Sequence, residues 1–291
     1  MIINQLAGGL GNQLFIWAAS IDPTQHKRSK RIILTYDSKH GLKTRNIQDL
    51  KQFLLFSNSN VQLVKLESLG QIFRFLDFIG KIYPRLKSKI EKILRINTFE
   101  DPFSTFSPQS LDWKINRGYF QRFNENQIRT AIPLLNNYLQ GVASNSDMFI
   151  RHKILTEKYQ VIHIRRGDYL ESKFGLLDFE FYFNSLAENI PLVVCTDDIS
   201  LIPEIESYFQ PEVVFSPANS SAWESFVIIS NASPIIGSNS TFSWWASVIG
   251  ASRDAIVKNP EPWFRDLSCP PYNFCRLGIE SLTSIFDTSG D

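Results

Sequence analysis

Cysteine is scarce in this chain, with Cys195, Cys269 and Cys275 among 291 residues, and methionine is scarcer, with two. An odd cysteine count without a CxxC pair or a Cys/His cluster argues against a disulfide framework and a zinc site, and makes a reducing compartment the simplest setting. No stretch of about 18 apolar residues is present, which excludes a membrane-spanning helix. A surplus of charge is missing too: the formal net charge is +1, so no global field draws the chain to nucleic acid, and any anion site has to be local. The Asp-x-Asp spacing that holds a divalent cation on a nucleotide-sugar diphosphate occurs nowhere. Met1 leads directly into Ile2-Ile3-Asn4-Gln5-Leu6, without a charged leader, an apolar core or a small-residue cleavage site, so a cytoplasmic protein is expected. Fixed-period repeats and low-complexity tracts are absent as well.

What remains is ordinary for an enzyme, with 43% hydrophobic and 20% charged residues, enough for one large domain or two of roughly 140 residues. In the second half, apolar runs at Gln160–Ile164, Leu192–Thr196, Val213–Phe215, Pro234–Gly237 and Ala255–Lys258 alternate with helix-compatible stretches. Such alternation predicts a parallel sheet covered by helices, with ligands at the carboxyl ends of its strands. The first half starts alike, with strands at Ile2–Leu6 and Arg31–Tyr36 around a helix from Gln13. From about Leu50 to Asn145 it reads as helices and loops. The expected fold is α/β, with two Rossmann-like lobes, 1–155 and 156–291, and a cleft between them.

Four strand ends carry chemistry. Gly8-Gly9-Leu10-Gly11-Asn12-Gln13 follows the first strand, so bare backbone at Gly9 and Gly11 and the amides of a helix start can face a ligand. A nicotinamide cofactor is one reading, with Asp37 as the ribose acid, but Leu14 stands where the third glycine belongs. A tight turn that uses glycine only for its dihedrals fits equally well. His163-Ile164-Arg165-Arg166-Gly167-Asp168-Tyr169 ends another strand with two guanidinium groups and a carboxylate. One arginine can offer its fork to phosphate while the other pairs with Asp168; taken alone, the motif fits a structural ion pair better, and His163 fits a core histidine. Asp197 and Asp198 end the next strand, where Asp197 can accept hydrogen bonds from a nucleoside and Asp198 can cap the following helix. Ser238, Asn239, Ser240, Thr241 and Phe242 lie at a helix start, where hydroxyls and amides together can cradle a diphosphate. Between Lys81 and Arg95, six cationic residues face the single acid Glu91. That segment reads as a surface helix attracted to anionic lipid, or as a solvated helix face.

Taken together, Gly8–Phe15, His163–Tyr169, Thr196-Asp197-Asp198 and Asn239–Trp245 resemble the signature blocks of the bacterial α-1,2-fucosyltransferases, glycosyltransferase family 11. Gly118-Tyr119-Phe120-Gln121 and Pro262-Trp263-Phe264 resemble its aromatic block and its tail. Ile16-Trp17 and the helix at Trp223–Ala232 depart from the pattern. The resemblance implies a two-lobed fold of the GT-B type with an acceptor-side first lobe and a GDP-sugar-binding second lobe. It also implies a GDP-fucose donor, no metal or other cofactor, and inversion to an α-linked product on a glycan acceptor, free or lipid-linked.

Inversion means direct displacement through an oxocarbenium-like transition state. Under the resemblance, Arg165 stabilises the departing GDP, helped by Arg166 and the Ser240–Phe242 helix start. Asp168 and His163 are the titratable groups nearest the motif, with Asp168 better suited to orienting Arg165 than to acting as base. Asn12 is expected near the reacting centre. A nicotinamide oxidoreductase and a non-catalytic nucleotide- or glycan-binding protein are the competing readings.

Overall fold

Parallel strands that are covered on both faces have to be apolar throughout, and the second half of the chain obeys this rule. In the computed structural model, Gln160–Ile164 and Leu192–Thr196 are buried at every position. The structure describes residues 2–21, 32–36, 46–57, 61–98, 114–117, 125–147, 158–169, 175–261 and 263. It divides into two compact units, Met1–Tyr138 and Leu139–Asp291. The boundary expected at 155/156 lies outside the described residues.

The first unit runs β1 (Ile2–Gln5), α1 (Leu10–Ile21), β2 (Ile32–Tyr36), α2 (Ile47–Ser57), β3 (Val61–Lys65), α3 (Glu67–Ile82), α4 (Pro84–Leu94), β4 (Ile96–Thr98) and β5 (Lys114–Arg117), with α5 (Glu125–Asn145) continuing past its end. Its five described strands form one parallel sheet in the order β3-β2-β1-β5-β4. Three of these strands, β3, β4 and β5, fall where the sequence reads as helices and loops. They are short and interrupted by Gln62, Asn97 and Asn116, so the apolar runs that mark the other strands are missing.

Asn4 does not break β1. Its amide donates to Ser20 Oγ at 2.7 Å and its carbonyl accepts from Asn116 Nδ2 at 2.8 Å, which satisfies a buried amide and ties β1 to both α1 and β5. The helix starts at Leu10, three residues before the expected Gln13. The helix expected across Lys81–Arg95 is two helices, α3 and α4, because Pro84 cannot continue α3 and takes the first position of α4 instead.

The second unit runs β6 (Gln160–Ile164), α6 (Phe179–Phe183), β7 (Leu192–Thr196), α7 (Ile202–Phe209), β8 (Val213–Phe215), α8 (Ala222–Asn231), β9 (Ile235–Ile236), α9 (Thr241–Ala251) and β10 (Val257–Lys258). Its sheet is parallel, in the order β10-β9-β6-β7-β8. The core gathers Ile162 and Ile164 of β6 with Val194, Ile205 and Tyr182. Helix α9 is buried from Ser243 to Ala251, and Gly250 lets it approach β9, since a Cβ there would stand 2.3 Å from Ile235 Cδ1. No helix among the described residues is long and apolar enough to cross a membrane.

Candidate functional site

In an open parallel sheet, ligands bind where strand order reverses, at the carboxyl ends. In the second unit the chain builds β6, β7 and β8 outward in one direction, then returns to lay β9 on the other side of β6. The reversal therefore lies between β6 and β9. The β6 end carries Arg165 and Arg166, and the β9 end carries Ser238, Asn239 and Ser240.

Side-chain contacts bind these two ends together. His163 Nδ1 lies 3.2 Å from Ser238 Oγ, and the His163 ring packs against Phe242 with centroids 5.6 Å apart. Tyr169 donates its hydroxyl to Asn239 O at 3.0 Å, and the Arg165 guanidinium carbon stands 5.7 Å from the centre of the Tyr169 ring. Ser240 holds the N-cap position of α9 without making a side-chain cap bond. Ser243 Oγ instead accepts from the Ser238 amide at 3.0 Å. The Ser238–Ser240 segment is buried and fixed in shape from beneath, while Thr241 and Phe242 in the first turn of α9 are half-buried.

The ion pairs run to the neighbouring β7. Arg165 Nη1 lies 2.8 Å from Asp197 Oδ2, and the Arg166 amide donates to Asp197 Oδ1 at 2.8 Å. One carboxylate thus fixes both the side chain of Arg165 and the backbone of the turn. Gly167 makes room for it, because a Cβ there would stand 2.5 Å from Asp197 Oδ2. Arg166 reaches Asp198 and Glu204 only loosely, at 3.9 Å each. Asp198 caps the following turn by accepting from the Ser200 amide at 3.0 Å. His163 is 5% exposed. Burial, followed by the positive charge of Arg165, lowers its pKa to about 3, so its ring is neutral at physiological pH.

The first unit has the same plan. Its strand order reverses between β1 and β5, and the loop after β1 is the glycine loop. Gly8 takes φ +67°, and a Cβ there would collide with Asn12 Nδ2 at 2.4 Å. The side-chain amide of Gln13 donates back to Gly8 O at 3.0 Å. Gly9 faces open space, whereas Gly11 is buried within α1.

The family model for Glycosyl transferase family 11 matches residues 1–263. The chain belongs to glycosyl transferase family 11. The O-antigen biosynthesis glycosyltransferase WbnK of Escherichia coli is 24% identical over 303 residues, covering 89% of this chain and 93% of its own. An alpha-1,2-colitosyltransferase of Escherichia coli is 25% identical over 294 residues, covering 91% and 92%. The crystal structure of the NodZ alpha-1,6-fucosyltransferase with GDP aligns over 85% of this chain and 91% of its own at 12% identity, with a TM-score of 0.46.

Membership in glycosyl transferase family 11 sets aside the oxidoreductase reading of Gly9, Gly11 and Asp37. Of the expected site residues, the second unit brings together His163, Arg165, Arg166, Asp197 and Ser238–Phe242, while Gly9, Gly11 and Asn12 belong to the first unit. The Asp168 side chain, Asp37, Gly118–Gln121, Pro262, Phe264, Cys269 and Cys275 lie outside the described residues. Arg165 pairs with Asp197, which the sequence does not suggest because the two stand 32 positions apart on different strands. Tyr169, overlooked as a site residue, ties the arginine motif to Asn239; the available signal was an aromatic ring with a polar tip closing a polar turn. Among the described residues, no three His, Cys, Asp or Glu side chains gather as a metal site would require.

Proposed function

We propose that this family 11 glycosyltransferase moves L-fucose from GDP-β-L-fucose to a galactoside hydroxyl in α-1,2 linkage, with inversion and without a metal, during synthesis of a surface polysaccharide such as O-antigen. One observation carries the reading: Arg165, held by Asp197, and the start of α9 stand on adjacent strand ends at the reversal of strand order. That is where a diphosphate finds a fixed guanidinium together with helix-start amides and hydroxyls. Negative charge that builds on the departing GDP then meets positive charge that needs no reorganisation.

In this proposal Arg165 stabilises the leaving group, Arg166 and Ser238–Phe242 hold the diphosphate, and His163, neutral and bonded to Ser238, positions the cradle. Asp197 orients Arg165, and Asp168 on the same turn is assigned to orienting it as well, in preference to acting as base. Gly9 and Gly11 of the glycine loop are assigned to GDP-fucose, and Asn12 to the reacting centre.

The relative named for α-1,2 transfer of colitose supports the linkage and makes colitose the competing donor sugar. The test is GDP release by the purified chain with fucose, colitose and other GDP-sugars against a panel of galactosides, with and without a chelator. Release with GDP-fucose in the presence of chelator is expected, and Arg165→Ala should lower kcat on the order of 10²- to 10³-fold. Turnover only with added divalent cation would overturn the metal-free mechanism. Turnover with the colitose donor alone would move the sugar and keep the class.

A further inference from the structure

Helix α3 has two apolar stripes, and a helix that serves only its own fold needs one. Phe73 and Leu76 face inward, fully buried with Ile96. Phe75, Phe78 and Ile82 lie on another side of the helix and are 59%, 63% and 53% exposed. The apolar surface continues around the break between α3 and α4, where Ile82, Tyr83, Pro84, Arg85, Leu86 and Lys89 line a surface pocket of about 580 Å³. Apolar and cationic groups share that pocket. On α4, Arg85, Lys89 and Lys92 recur at i, i+4 and i+7, one exposed stripe along the helix. The acids of this region are already engaged, Asp77 by Arg117 at 2.7 Å and Glu91 by Lys87 at 3.9 Å. Segment 81–95 holds six cationic residues against one acid, while the whole chain carries a net charge of only +1.

We infer that the α3–α4 face docks on an anionic phospholipid bilayer, with Phe75, Phe78, Ile82 and Tyr83 entering the headgroup boundary and the α4 stripe lying against lipid phosphate. A merely solvated face does not carry four large apolar side chains that are each more than half exposed. A second copy of the chain is a poor occupant, since a two-fold contact would bring the same cationic stripe against itself. An anionic bilayer satisfies both halves of the face at once, the rings by partial insertion and the cations by the surface potential. The inference is independent of donor and acceptor, because vesicle binding is read without turnover.

Co-sedimentation of the full chain with vesicles of phosphatidylcholine, or of phosphatidylcholine containing phosphatidylglycerol, tests it. Binding should require phosphatidylglycerol and should weaken, without vanishing, as salt rises from about 0.1 M to about 1 M. Each cation removed should cost about fivefold in partitioning, so Arg85→Gln, Lys89→Gln and Lys92→Gln together should cost about a hundredfold. The variant Phe78→Trp localises the contact whether or not the triple variant folds: brominated phosphatidylglycerol should quench its added emission beyond the wild-type level. Equal binding to both vesicle types, wild-type partitioning by a folded triple variant, or no added quenching would each overturn the proposal. So would a dimer in sedimentation velocity that Phe75→Ser with Phe78→Ser converts to monomer.

Discussion

Gly9 and Gly167 are both glycines at strand ends, yet space separates their roles. A Cβ on Gly167 would meet Asp197 Oδ2 at 2.5 Å, whereas one on Gly9 meets nothing within 4 Å. A side chain at Gly167 would therefore displace Asp197 from Arg165, whereas one at Gly9 displaces nothing of the protein, so a need for bare backbone at Gly9 has to come from a ligand. Gly9→Ala should leave the unfolding free energy within the range of an ordinary surface change, about ±0.5 kcal/mol, while raising a substrate KM about tenfold, the equivalent of ~1.4 kcal/mol of lost contact. Unchanged kinetics would remove the glycine loop from the ligand's path. His163 is decided by charge. Its pKa falls to about 3 in the fold, against about 6.5 unfolded. Between those values the unfolded chain binds a proton that the folded chain refuses, so stability is complete above about pH 6.5 and declines as pH falls toward 3. At about pH 5 the loss should be about 2 kcal/mol. Comparing denaturant unfolding of the wild type and His163→Asn at two pH values isolates this contribution. An identical pH slope in both proteins would show that the ring is not held neutral.

The elements of the second unit are legible because their physics is local. β6, β7 and β8 are apolar runs bounded by polar turns, and a strand buried on both faces announces itself that way. The strand-end motifs are legible for the same reason, since Arg165, Asp197 and Ser238 each directly follow or nearly follow a readable strand. What the sequence does not disclose is adjacency. That β9 returns beside β6, and that Asp197 holds Arg165, follow from sheet order, which sets residues 32 to 74 positions apart side by side. The first unit shows the opposite limit. β5 reads Lys-Ile-Asn-Arg, and its place in the sheet rests on non-local partners: Asn116 reaches Asn4, and Arg117 makes two 2.7 Å bonds to Asp77 of α3. A strand defined by such partners carries no periodic signal. The α3–α4 break belongs with the legible features in hindsight, since Pro84 marks it, but six nearby cations suggest one continuous amphipathic helix.

Over the whole molecule, the two units repeat one construction. In each, the first strand lies at the centre of its sheet, the next two strands extend to one side, and the chain returns to fill the other. In each, the loop after that first strand carries the polar motif, Gly8–Gln13 in one and Arg165–Tyr169 in the other. The proposed diphosphate contacts all belong to Leu139–Asp291, which predicts how GDP alone should act. A ligand bound only by the folded state at about a hundredfold excess over its Kd stabilises by about 2.7 kcal/mol, roughly 5 °C in melting temperature for a chain of this size. Scanning calorimetry with GDP should show that rise undiminished by chelator and largely lost in Arg165→Ala. If the rise needs added divalent cation, the diphosphate is held through a metal and the role given to Arg165 fails. If it survives Arg165→Ala intact, the nucleotide binds elsewhere, and the reversal between β6 and β9 is not its site.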